Sequence, residues 1–340
     1  IIPSQEDVVC QRLLRRVKKA HQISLEESIA KSLEAKASAM RDEVIMFLGG
    51  IVNEDAKFKC KQQVLAFNLE FRRFYPMAPL PMGCDSGVAC CRHGNDILVC
   101  GLGESRQALV RYVSAHNVWR VLAPMTIGRR GHAIVSHGNF VYVLGGMMDQ
   151  AVDGSKRITA MVERYDIKRN RWGFTATLPE SVWGHSAVVT GTKIVTFGGY
   201  HSRDSPTTSV QTYDMKTGLA RVTSQLPFPV ALTQAVECDG LIYIVCPTGN
   251  ILKTTDCWRF QTCSALPGFK RAMYGATVHR GRLFVAGGKF NHEAYDDMMM
   301  VDLSNQALVN MPEKLPLPMY GFGCVALTLS RGLMVKMAFD

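Results

Sequence analysis

The sequence predicts an all-β chain closed into a ring of six small antiparallel sheets, with a short helical segment in front. Three observations carry that prediction. An apolar strand ending in a glycine pair recurs along the chain, the stretches between copies break into short β-rich runs, and the two ends of the repeated region complement each other.

The recurring strand is clearest at Val44–Gly50, Val141–Gly146, Ile194–Gly199 and Leu283–Gly288. Two worn copies stand between them, Ile97–Gly103 and Ile242–Pro247. The first glycine position of each falls at 49, 101, 145, 198, 246 and 287, in steps of 52, 44, 53, 48 and 41. A period in this range marks a repeat architecture in which each unit buries its core only against its neighbours.

Within the best copy, Arg129 to Glu180, turn residues at Gly138-Asn139 and Lys168-Arg169-Asn170 separate four β-rich runs. That punctuation reads as a four-stranded meander. The glycine pair permits close backbone packing where a side chain would clash. Tyr165 precedes Trp172 by seven residues, as Tyr112 precedes Trp119 and Phe67 precedes Phe74. A large ring at the end of each sheet is expected to pack one sheet on the next.

A double glycine after an apolar strand, then Tyr-Asp, then Trp, then a Pro-containing link resembles the kelch repeat, over about residues 42–328. The resemblance implies a kelch β-propeller. Six copies in order carry it, although single copies depart from it. Cys246-Pro247 replaces the glycines of the fifth, in the degenerate blade 229–266. Ala220 stands at the Trp position of the fourth, and Val301-Asp302 with Leu308 replace Tyr-Asp and Trp in the sixth.

Closure follows from the ends. The first copy begins at its second strand, near Glu43, with no counterpart of His132–Val135 before it. Tyr320–Leu327 matches a first strand with no blade after it. Residues 320–328 are therefore expected to supply the missing innermost strand of blade one, which removes two exposed sheet edges. Residues 329–340 are left as a tail.

Residues 1–41 differ from the rest. Val9, Leu13, Leu14 and Val17 form a helical stripe. Ser24 with Glu27 forms a capping box at the start of a second helix reaching Met40. Helices directly before a kelch propeller resemble the end of the BACK region in BTB–BACK–kelch proteins. Without an initiator Met, the chain reads as part of a longer one.

Composition bounds the class. With 340 residues, 47% of them hydrophobic, the chain can bury a large core. No stretch approaches 18 uninterrupted apolar residues, so no membrane association is expected. Eleven cysteines, an odd number scattered through strands and turns, point to reduced thiols. A cytoplasmic protein, cytoskeleton-associated or nuclear, is expected. The net charge of +10 is spread over the chain, and its densest run, Arg15-Arg16-Val17-Lys18-Lys19, lies on a helix. Specific nucleic-acid binding is therefore not expected.

Catalytic chemistry finds no foothold in the motifs. There is no Cys-x-x-Cys, and Cys84, Cys90, Cys91 and His93 lack zinc-ligand spacing. His201 near Tyr200 and His292 near Tyr295 are the only hints of a copper site. No Gly-x-Ser-x-Gly occurs, and the glycine pairs end strands without opening helices. No catalytic residue, cofactor or metal is expected, so the chain reads as non-enzymatic.

In ligand-binding kelch domains, the resemblance implies, an Arg sixteen residues before the first glycine often lines the loop face around the channel. Here that position holds Asp85, Arg129, Val182, Val230, Arg271 and, in the closing segment, Met319. The position after the pair holds Ile51, Gly103, Met147, Tyr200, Thr248 and Lys289. With their sequence neighbours, the candidate partner-binding residues are Arg129, Arg130, Trp183, Tyr200, Arg203, Arg271, Tyr274 and Lys289. Arginine forks grip carboxylates, aromatics supply anchor area, and the net positive charge attracts acidic partners. A protein or peptide, acidic in character, is the expected ligand. The alternative is that Arg129 and Arg271 pair with local carboxylates and carbonyls around the ring.

The resemblance implies the substrate-recognition half of an adaptor for a cullin-RING ubiquitin ligase. In that family a BTB domain, for which this chain has no counterpart, dimerises and binds the cullin. A cytoskeletal kelch scaffold binding actin or other filaments is the alternative.

Overall fold

The computed structural model describes residues 40–54, 57–83, 87–148, 157–202 and 204–334, with the isolated helical positions Lys19, Gln22 and Ser28. Apart from those three positions, the two helices expected within 1–41 lie outside the described residues.

Six four-stranded antiparallel sheets follow one another along the chain. Blade 2 comprises Ala89–His93, Asp96–Leu102, Ala108–Val113 and Val118–Leu122. Blade 3 comprises Ala133–His137, Phe140–Leu144, Met161–Asp166 and Arg171–Thr177. Blade 4 comprises Ser186–Thr190, Lys193–Phe197, Thr207–Asp214 and Ala220–Val230. Blade 5 comprises Gln234–Cys238, Leu241–Val245, Asn250–Thr254 and Gln261–Ala265. Blade 6 comprises Gly275–His279, Arg282–Ala286, Asp297–Asp302 and Ala307–Lys314. Each second strand is an almost unbroken apolar run because it is covered on both faces by neighbouring blades.

Blade 1 joins the two ends of the ring. Its inner strand, Gly323–Ser330, pairs antiparallel with Arg41–Glu54 from Leu48↔Gly323 to Arg41↔Ser330. Lys57–Asn68 and Arg73–Met77 complete the sheet. The closing strand therefore runs past residue 328, and the expected tail begins too early. Leu329 is buried, and the chain continues from Arg331 into a helical turn that buries Met334. The Arg331 guanidinium bonds Asp42 at 2.6 Å and Glu70 at 2.9 Å, fastening the end of the chain to the first blade.

Apolar clusters fill the six junctions between blades. The residue three before the first glycine packs toward the next blade's Tyr-Asp position. Met46 shares a cluster with Tyr112, Leu98 with Tyr165, Tyr142 with Tyr213, Tyr243 with Val301, and Phe284 with Phe67. The glycine pair seals the same junction. A Cβ on Gly145 would lie 2.5 Å from the Val182 carbonyl oxygen, which accepts a 2.8 Å bond from the Gly146 N–H. Such contact requires a residue without a side chain.

The aromatic pairs do more than fill space. Tyr112 and Trp119 face each other across a hairpin with ring centroids 5.1 Å apart, and Tyr165 and Trp172 are 5.2 Å apart. The hydroxyl of Tyr112 and the backbone N–H of Ala78 both donate to Asn117 Oδ1, while Trp119 Nε1 donates to the Ala78 carbonyl. Tyr165, Asn170, Ala123 and Trp172 repeat the arrangement one blade later. The seven-residue spacing thus marks a clasp that holds the link from the preceding blade. Sequence reading missed the asparagine at its centre, although Asn117 and Asn170 stand at the same place in their turns.

Candidate partner-binding face

The loops entering each inner strand carry a sixfold backbone signature. Gly87, Gly131, Gly184, Leu232, Met273 and Gly321, one per blade, all adopt left-handed φ, between 56° and 102°. Backbone bonds pass between neighbouring loops: Gly184 N–H to Gly131 O at 2.7 Å, Leu232 N–H to Gly184 O at 2.6 Å, Gly321 N–H to Met273 O at 2.7 Å and Val88 N–H to Gly321 O at 2.8 Å. Leu232 and Met273 hold this conformation despite their side chains, a strained choice for L-residues. The loops are rigidly held before any side chain is considered.

This frame brings two sets of expected residues together. In blades 1, 3, 4 and 6 the residue before the left-handed position bridges to the residue after the glycine pair of the same blade. The pairs are Arg130↔Met147, Trp183↔Tyr200, Ala272↔Lys289 and Ile51↔Tyr320. Trp183 and Tyr200 stack at 4.9 Å, with their planes 26° apart. The Trp183 ring also lies over Gly131, whose added Cβ would come within 3.0 Å of it. Arg130 bonds Met147 Sδ at 3.5 Å, so Met147, Arg130, Trp183 and Tyr200 run continuously across blades 3 and 4. The Lys289 ammonium sits 4.5 Å from the Tyr320 ring centre and links blade 6 to blade 1. Arg130, Trp183, Tyr200 and Lys289 are all partly exposed. The Trp183 indole N–H is sealed from solvent and has no hydrogen-bond acceptor among the described residues.

Three expected contact residues are placed elsewhere. Arg129 is fully buried. Its guanidinium bonds Glu163 at 2.8 Å and the carbonyls of Gly145 and Met161 at 3.2 and 3.1 Å. Arg271 is 6% exposed; it pairs with both oxygens of Asp297, donates to Gly287 O at 3.2 Å, and lies 4.0 Å from the Tyr295 ring centre. Tyr274 is buried, and its hydroxyl donates to Val245 O at 2.7 Å. These side chains have no surface to offer a partner, because the inner-strand entry turns them into the junction. The reading in which the arginines pair locally around the ring is the one the geometry takes. Arg203 lies outside the described residues.

Behind the rim lie two buried imidazoles. His132 Nε2 approaches Cys100 Sγ at 2.8 Å, and both ring nitrogens of His185 lack partners among the described residues. Burial lowers the two histidines to about 3 and about 4. Burial also pushes the Cys100 thiol up, which leaves it neutral and a poor nucleophile. No group of three or more potential metal ligands occurs among the described residues. No described helix is long and apolar enough to cross a membrane.

Comparison with known proteins agrees with this architecture. The Kelch motif family model matches residues 128–179 and 184–219. Mouse Kelch-like protein 35 is 31% identical over 271 residues, covering 77% of this chain and 45% of that protein. Human Kelch-like protein 38 is 23% identical over 73% of this chain and 42% of its own length. Rat Kelch-like protein 24 is 27% identical over 95% of this chain and 52% of its own length. The chain thus spans about half the length of the curated relatives it matches. The solved structure of YjhT superposes with a TM-score of 0.64 at 15% identity, covering 74% of this chain and 89% of that one, a likeness of fold. The chain is a kelch-repeat β-propeller of the Kelch-like family, a protein-interaction domain.

Proposed function

We propose that this propeller is the substrate-recognition domain of an adaptor for a cullin-RING ubiquitin ligase, and that it takes a peptide of its target on the loop face. The stacked Trp183–Tyr200 pair carries the reading. Large, half-exposed rings on a hydrogen-bonded frame are the residue types that dominate binding energy at protein interfaces, and their immobility lowers the entropy lost on binding. Arg130 on one side, with Lys289 on the other, favours carboxylates in the peptide. Arg129 and Arg271 support the loops that present these groups, and their charges are already matched by Glu163 and Asp297.

The test is affinity capture with the wild-type chain beside a Trp183→Ala/Tyr200→Ala/Lys289→Glu variant. A target enriched by the wild type, lost with the variant, and ubiquitinated in cells only when the full-length protein is present is the expected result. Equal recovery by both proteins would remove the rim from the contact. Co-sedimentation of both with filaments would favour a cytoskeletal scaffold instead.

A further inference from the structure

One blade junction lacks its plug. At the Tyr-Asp position of blade 5 stands Thr254, opposite Ile242 in the sheet, where blades 1 to 4 place Phe67, Tyr112, Tyr165 and Tyr213. The corresponding second-strand residue of blade 4 is Val195, where other junctions use Met46, Leu98, Tyr142, Tyr243 or Phe284. Both of these repeat positions thus hold small side chains, where every other junction has at least one large one. A groove of about 360 Å³ lies beside this junction, lined by Val195, Lys193, Arg221, Thr223, Asp256 and Trp258 among others. It lies at the far end of blade 4's strands from Trp183, beside the turn Gly191-Thr192, and is separate from the rim.

The chemistry of the walls is uneven. Lys193, Arg221 and the 62%-exposed Trp258 project from them. Arg221 has no ion-pair partner among the described residues, and Lys193 stands opposite Asp214 across the sheet. The nearby carboxylates, Asp256 in the groove wall and Asp214 beside it, are engaged by their own turns. Asp256 Oδ1 accepts from the N–H groups of Trp258 and Arg259 at 2.8 and 3.0 Å, and Asp214 Oδ1 accepts from those of Lys216 and Thr217 at 2.8 and 3.1 Å. The Thr212 and Thr223 hydroxyls bond each other at 2.9 Å on the blade 4 side. Ser224 Oγ donates to the Cys257 carbonyl and ties the two blades together beneath the groove.

We infer that the groove between blades 4 and 5 is a second peptide-binding site, which accepts one aromatic side chain in place of the missing ring and holds flanking carboxylates on Lys193 and Arg221. An inorganic anion would leave the indole and the volume unused. A tyrosine between acidic residues uses the cations, the hydroxyls and the Trp258 ring together.

The probe is fluorescein-labelled Glu-Glu-Tyr-Glu-Glu-amide, titrated with the 340-residue chain and followed by anisotropy. Saturable binding is expected for this peptide and not for Lys-Lys-Tyr-Lys-Lys-amide. The exposed double variant Lys193→Glu/Arg221→Glu should weaken it by about tenfold or more. Val195→Tyr, which places a large ring in the groove wall, should abolish it. The rim variant Trp183→Ala/Tyr200→Ala should leave it unchanged, so failure here and failure of the rim reading are separable. Absence of saturable binding, equal binding of the basic peptide, or unchanged affinity in the charge-reversed variant would overturn the inference.

Discussion

Arg129 in blade 3 and Arg271 in blade 6 occupy the same place in the repeat, and both donate to the carbonyl of the first glycine at 3.2 Å. They differ in their acids. Glu163 lies opposite Val143, deep along its strand, and its pair with Arg129 is sealed, with side chains 0% and 1% exposed. Asp297 begins its strand nearer the rim, and its side chain stays 33% exposed. At the position of Glu163, blade 4 has Gln211, opposite Thr196, where the preceding arginine is replaced by Val182. Gln211 accepts from the Glu180 N–H at 2.9 Å instead. The buried acid appears in the blade that also supplies the buried base. One repeat position can therefore serve as a sealed electrostatic pin, a half-open clasp or an apolar contact, and depth along the strand decides which.

The largest effect should come from breaking the sealed pair. Arg129→Met leaves the buried Glu163 carboxylate without its counter-charge, and should cost about 3 to 5 kcal/mol of unfolding free energy in urea titration. Arg129→Met/Glu163→Gln should recover most of it. If the double variant is no more stable than the single, the pair is not the source of the loss.

Acid probes the same sealed region. His132 and His185 are held to about 3 and about 4 when folded, against about 6.5 unfolded. Between those values the unfolded chain binds more protons, so stability falls as pH drops below about 6.5 and stops falling only beneath the folded values. Near pH 5.5 the loss should be about 1.4 kcal/mol for each ring. Denaturation midpoints at neutral and mildly acid pH will show it, and His185→Leu should remove about half of the dependence. A variant with the full wild-type slope would assign the titration to other groups.

Smaller effects should follow outside the sealed zone. Asn170→Ala strands the Ala123 N–H and the Tyr165 hydroxyl and should cost about 2 kcal/mol by thermal or chemical unfolding. Arg271→Ala should cost about 1 to 2 kcal/mol, because water reaches Asp297 and replaces part of what is lost. Should Arg271→Ala prove as damaging as Arg129→Met, the distinction between sealed and open pairs would fail.

Much of this organisation was legible in the chain because it repeats. The glycine pairs, the strand runs and the seven-residue aromatic spacing come from backbone geometry imposed six times, so periodicity exposes them even where single copies have worn. The junction between blades 4 and 5 was half legible. The missing glycines at Cys246-Pro247 announced a degenerate blade, yet the groove is walled by Lys193, Val195 and Arg221 from one blade and by Asp256 and Trp258 from the next. The structure brings four of the expected rim residues, Arg130, Trp183, Tyr200 and Lys289, to partly exposed positions and buries Arg129, Arg271 and Tyr274. Arg130 and Trp183 stand at the same place in their blades, and the structure joins them through Gly131. Arg129, one residue earlier, points the opposite way, because adjacent residues in extended backbone face opposite sides. No pattern of residue types along the chain separates the two arginines.

By itself the sequence determined the repeat, the number of blades and the exchange of a strand between the two ends, because hydrogen-bonded strands, turns and glycine conformations are local requirements that each copy states again. Only the tertiary structure decided which charges are spent inside the ring and which remain for a partner, and where the ring opens. Burial and ion pairing are set by side chains from neighbouring blades about fifty residues apart in sequence, and no single repeat contains both halves of such a contact.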